Sequence, residues 1–123
     1  MDEPLKPLHW VGKSKDDLRD CPDDVMDEIG YALHVAQEGG THGNVKPLHG
    51  FGGASVMEIT SNAGGNAYRG VYTVKFTHAI YVLHVFMKKS KKGRETPKQD
   101  MDLIESRLKD AKEDHDKRYG RKT

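Results

Sequence analysis

The residues best equipped for chemistry sit in two neighbouring apolar runs. Arg69 interrupts Tyr68 to Phe76 (YRGVYTVKF), a stretch otherwise dominated by β-branched and aromatic residues. A guanidinium in such a strand can grip phosphate oxygens in a bidentate way, or can simply pair with an acid. Lys88 and Lys89 close the next run, Ala79 to Met87 (AIYVLHVFM), which carries His84 at its middle. Successive strand residues point to opposite faces, so only one of the two lysines can line a site. Regular alternation groups Lys88 with Ile80, Val82, His84 and Phe86, and Lys89 with Tyr81, Leu83, Val85 and Met87. His84 titrates near neutrality and is a candidate acid or base; a hydrogen-bonded core histidine is the competing reading. Tyr68 and Phe86 could stack a base, although core packing suits both better. Lys46, Lys91, Lys92 and Arg94 have the character of backbone contacts to a polyanion, whose strength falls steeply with salt.

The charge distribution supports a polyanionic ligand. The formal net charge is only +1. Residues 1–38 nevertheless hold ten acids against four bases, and residues 39–98 hold nine bases against two acids, Glu58 and Glu95. Six cations (Lys88, Lys89, Lys91, Lys92, Arg94, Lys98) fall within eleven residues. Such segregation lets one side hold a polyanion while the whole stays near neutral. Other chemistries find little support. Cys21 is the single cysteine, which excludes an internal disulfide and fits a reducing compartment. His42, His49 and His78 fall in connections, no histidine pair has helical i, i+4 spacing and no carboxylate accompanies them, so no metal and no cofactor are expected. Gly50-Phe51-Gly52-Gly53 resembles a phosphate loop only superficially, since strands follow it where a helix is required. The N-terminus has no basic and apolar leader, and the longest apolar run is far shorter than a membrane span. The expectation is a soluble cytoplasmic protein.

The elements that must position these residues can be read from periodicity and punctuation. Lys6 to Val11 alternates with Leu8 and Trp10 on one side and predicts a first strand. Ser14 with Asp17, and later Thr96 with Gln99, have capping-box spacing, with Pro97 at a first helical position. Val25, Met26, Ile29, Leu33 and Ala36 form one helical stripe that Gly39-Gly40 terminates. Residues 39–55 read as a Gly-rich connection. Val56 to Thr60, Tyr68 to Phe76 and Ala79 to Met87 predict three strands, the last covered on both faces. Met101, Ile104, Leu108 and Ala111 give a one-faced final helix, with fraying expected beyond about Asp114. The predicted class is α+β: a small antiparallel sheet in the order β-α-α-β-β-β-α, with an N-terminal helical hairpin and a C-terminal helix. Residues 1–113 are read as a single domain and 114–123 as a charged tail.

Lys46-Pro47-Leu48, Tyr68-Arg69-Gly70-Val71-Tyr72, Val82-Leu83-His84-Val85-Phe86-Met87-Lys88-Lys89 and Thr96-Pro97, in this order, resemble the phage Gp49-like branch of the RelE/HigB toxin superfamily. The resemblance runs from about Lys6 to Lys112. It departs from the family pattern at Gly93-Arg94-Glu95, which stands before Thr-Pro, and in the extra glycine of residues 50–55. The resemblance implies a RelE/ParE-like fold and the toxin of a type II toxin–antitoxin pair. It implies an endoribonuclease (mRNA interferase) acting on mRNA, typically engaged by the ribosome, with Arg69 and one of Lys88 and Lys89 at active-site positions. It also implies a cognate antitoxin, commonly a helix-turn-helix DNA-binding protein, and room for homodimers or larger toxin–antitoxin assemblies. Cleavage through the 2′-hydroxyl needs a base, cations for the phosphorane and an acid for the leaving 5′-oxygen; the general base is not identifiable from sequence. Two alternatives stay open: a gyrase-directed toxin of the same fold, and a non-catalytic module that binds nucleic acid or a partner.

Overall fold

In the computed structural model the described residues are 4–53, 55–88 and 96–120. The chain runs β1 (Leu8–Trp10), α1 (Ser14–Arg19), α2 (Asp23–Gln37), β2 (Val45–Pro47), β3 (Val56–Ala63), β4 (Asn66–Thr73), β5 (Ile80–Lys88) and α3 (Lys98–Tyr119). One five-stranded sheet has the order β1-β5-β4-β3-β2. The α+β class and the predicted element order are therefore present, with two refinements. β1 lies parallel to β5, so the sheet is mixed. The Gly-rich connection also contributes a short edge strand, β2, paired antiparallel with β3.

Helices cover both faces, which is why β5 is almost continuously apolar. On one face, Val25, Ile29, Ala32, Leu33 and Ala36 of α2 pack on Ile59, Tyr72, Ile80, Val82 and Val85. On the other, Ile104 and Ala111 of α3 pack on Val56, Val71, Tyr81 and Leu83. Gly70 is required where α2 crosses most closely, because a Cβ there would meet Ile29 Cγ2 at 3.1 Å. Gly39 ends α2 with a φ of +92°, a left-handed conformation that glycine adopts without steric cost.

Both predicted capping boxes are spent differently. Lys13 and Pro97 occupy the N-cap positions of α1 and α3, and neither side chain caps. The Ser14 hydroxyl instead donates to the Val82 carbonyl at 3.2 Å, tying α1 to the sheet. The Thr96 hydroxyl donates to Glu58 at 2.9 Å. The expected fraying beyond Asp114 is also corrected, since α3 continues to Tyr119. Its last turns are anchored: the Tyr81 hydroxyl donates to Asp114 at 2.6 Å, His115 is buried, and Tyr119 hydrogen-bonds His9 at 2.8 Å.

The register of β4 on β5 corrects the alternation expected along β5. Val71 pairs with His84, but Tyr72 pairs with Val82, leaving Leu83 as the extra residue of a bulge. Ile80, Val82 and Val85 consequently face α2, while Tyr81, Leu83, His84 and Phe86 face α3. Regular pairing resumes beyond the bulge, so Lys88 shares the α3 side with Phe86. Among the described residues, no helix is long and apolar enough to cross a membrane.

Candidate functional site

The α3 face of β3, β4 and β5 gathers the polar side chains. Opposite pairing places Glu58 beside Val71, and Thr60 beside Arg69, which in turn faces Phe86. Glu58 is 1% exposed, a full carboxylate carried into the sheet by a strand whose neighbours are apolar. It accepts the Thr96 hydroxyl and lies 3.8 Å from Arg69 Nε. A buried carboxylate must be compensated, and these two groups do so. The Arg69 side chain is itself only 12% exposed, and its Nη1 donates to the Tyr68 carbonyl at 3.2 Å. Among the described residues its buried Nε has no hydrogen-bond partner, and Glu58 approaches it only to 3.8 Å.

The bulge in β5 turns His84 into this face. Its Nε2 contacts Asp100 of α3 at 2.8 Å and its ring stacks on Phe86 at 4.5 Å. Burial pushes the imidazole below its ordinary value of 6.5, against the opposing pull of Asp100. His84 is therefore neutral at neutral pH, and one of its nitrogens is committed to α3. Arg107 holds the bulge from behind by donating to the Leu83 carbonyl at 2.9 Å. Lys88 is buried at 7% exposure, on the same side as Glu58 and Arg69. A hollow of about 790 Å³ opens beside Glu58, bounded by Lys46, Pro47, Leu48, His49, Thr96, Lys98 and Met101.

Of the residues proposed from sequence, Arg69, His84 and Lys88 come together here, and Lys46 borders the hollow one strand away. Tyr68 faces α2, away from the site, while Phe86 lies within it. Lys89, Lys91, Lys92 and Arg94 lie outside the described residues. Among the described residues no cluster of histidine, cysteine, aspartate or glutamate could hold a metal. Sequence reasoning missed Glu58, Thr96 and Asp100. Glu58 carried a usable signal, because it is the lone charge in Val56 to Thr60 and shares alternation with Val56 rather than with a polar face. Thr96 has the spacing of a helix cap, and Asp100 has the pattern of any solvated helix acid.

A family model for phage-derived Gp49-like proteins matches residues 16–109. The chain belongs to that family. The match runs from within α1 through most of α3; Lys46, Glu58, Arg69, His84, Lys88, Thr96 and Asp100 all fall inside it. Gp49-like proteins are a branch of the toxins of toxin–antitoxin systems, and membership implies a cognate antitoxin. No curated protein matches this Gp49-like chain.

Proposed function

We propose that this Gp49-like toxin is an endoribonuclease that cuts mRNA, engaged by the ribosome, through attack of a 2′-hydroxyl on the adjacent phosphate. The observation that carries the reading is the Glu58–Arg69 pair, a carboxylate at the wall of an open hollow with a guanidinium 3.8 Å from it. Glu58 takes the 2′-hydroxyl proton as the oxygen attacks phosphorus. Arg69, whose buried Nε has no hydrogen-bond partner among the described residues, turns its donors onto the phosphorane oxygens. The ammonium of Lys88, on the same face, supplies the proton to the departing 5′-oxygen. The products are a 2′,3′-cyclic phosphate and a 5′-hydroxyl end. His84 is a positioning residue in this scheme: it joins α3 to β5 and stacks on Phe86, which pairs across from Arg69.

The antitoxin is proposed to carry a helix-turn-helix and to cover the cationic face, through a segment acidic enough to complement it. One observation favours a second reading. Arg69 and Glu58 are buried enough to be a structural pair, as in a gyrase-directed or non-catalytic relative that keeps the fold. Induction without the antitoxin separates the two. Growth arrest with new mRNA 5′ ends and normal DNA topology is expected, and both effects should vanish in Glu58→Gln and Arg69→Ala. Arrest with intact mRNA and trapped gyrase overturns the ribonuclease reading.

A further inference from the structure

The hollow beside Glu58 is larger than a phosphate clamp needs, and its walls are of two kinds. Pro47 and Leu48 of the β2 edge form one apolar side. Met101, from the first turns of α3, forms the other. The Met101 methyl reaches across to the glycine loop, so close that a Cβ on Gly50 would meet it at 3.2 Å. Two cations, Lys46 and Lys98, and the imidazole of His49 surround this apolar slot. Lys46 and His49 are exposed. Lys98 is 87% exposed and, among the described residues, held by Asp102, 3.1 Å away on the next turn, a solvent-screened pair that a phosphate could displace. At about 790 Å³ the hollow falls within the range of roughly 300–1,000 Å³ usual for small-molecule sites.

An apolar slot rimmed by cations, opening beside a carboxylate that pairs with a guanidinium, complements a nucleotide, with its apolar ring face and charged backbone. We propose that this hollow is a base-receiving subsite: one unpaired nucleobase of single-stranded RNA, adjoining the phosphate at Arg69, inserts between Leu48 and Met101, while Lys46 and Lys98 hold the flanking phosphates. This inference rests on the ribonuclease reading for its ligand class, but it concerns binding and specificity rather than bond cleavage. A thioether against an aromatic ring is favourable and adaptable, and neither Leu48 nor Met101 reads base edges. The subsite therefore demands an unstacked base and tolerates several identities. An RNA duplex, whose bases are stacked and paired, cannot fill it.

The test uses a fully 2′-O-methylated trinucleotide, which the full-length protein cannot cleave, and the same trinucleotide with an abasic central position. Binding is read by fluorescence anisotropy and by the Met101 methyl resonance. The intact trinucleotide should bind more tightly than the abasic one and should shift the Met101 methyl. Met101→Ala should weaken binding of the intact trinucleotide by up to about tenfold and leave the abasic one unchanged, and a duplex of the same sequence should not compete. Equal affinity for intact and abasic ligands, an equal effect of Met101→Ala on both, or an unmoved Met101 methyl overturns the proposal. Base-dependent binding without cleavage of ordinary RNA would instead overturn the ribonuclease reading and leave the subsite standing.

Discussion

At the residue scale, the site turns on a carboxylate that is nearly inaccessible. Glu58 tolerates burial because Thr96 and Arg69 compensate it. Arg69→Ala should consequently do two things: remove the phosphate clamp proposed above and strand a buried charge. Breaking a buried pair from one side costs about 3–5 kcal/mol, so chemical denaturation of Arg69→Ala should show a lowered midpoint with an unchanged slope. Glu58→Gln in the same chain should recover much of that loss while mRNA cleavage stays absent. A double variant as unstable as Arg69→Ala would mean that the two groups do not compensate each other. His84 gives a separate, pH-dependent expectation. Burial lowers its pKa from 6.5 in the unfolded chain, so below pH 6.5 the unfolded state binds more protons than the folded one. Stability from this group is fully present above 6.5 and is lost as pH falls through the lowered folded value. Urea midpoints measured from pH 7.5 downward should decline below about 6.5, and His84→Phe should flatten that decline. His9, also lowered by burial, contributes in the same direction, so some slope should survive in the variant.

At the element scale, the decisive feature is the bulge in β5. Without it, His84 and Lys88 could still share a face, but Tyr81 and Leu83 could not join them there. Arg107 stabilises the bulge through the Leu83 carbonyl, and its guanidinium is packed so tightly that a Cβ on Gly12 would approach it at 2.9 Å. Arg107→Ala should cost about 1–3 kcal/mol by leaving that acceptor unsatisfied, and the His84 ring resonances should broaden as its position loosens. An unchanged stability and sharp resonances would show that the bulge holds itself. The bulge also marks where the sequence stopped being legible. The strand runs were visible because apolar and β-branched residues dominate them, and Gly39-Gly40 announced the end of α2. A bulge leaves no such trace: Leu83-His84-Val85 reads as ordinary alternation, and only pairing with β4 reveals the slip. The two capping boxes misled for a related reason. A serine or threonine hydroxyl finds the best acceptor in three dimensions, and Ser14 and Thr96 each found one on the sheet. Arg69 and Lys88 stand out in the sequence because cations in apolar strands are costly, and the structure brings both to the α3 face. Glu58 satisfies the same criterion, as the lone charge in Val56 to Thr60.

At the scale of the whole molecule, the C-terminal part of α3 closes the α3 face at the end remote from the hollow. Asp114 receives Tyr81 and Arg118, which hold its carboxyl below the usual range; His115 stacks on Phe76, and Tyr119 reaches His9. Truncation after Glu113 should therefore lower Tm by at least about 5 °C, although no residue of the proposed site is removed. A truncated chain with the parent's Tm would show these contacts to be incidental.

The parallel pairing of β1 with β5 also sets an order of events during synthesis. Leu8 meets Ile80, and His9 meets Tyr81, across seventy-two residues of chain. Contacts so distant in sequence form late, because the entropy of closing the loop must be met first. Thr96 and Asp100, which fix Glu58 and His84, follow β5 in the chain. The N-terminal strand must then wait, unpaired, until β5 has left the ribosome, and the site is incomplete until the first turns of α3 follow it. On the ribonuclease reading, a nascent chain of this design carries no assembled Glu58–Arg69–His84 site until the first turns of α3 have followed β5 out of the ribosome.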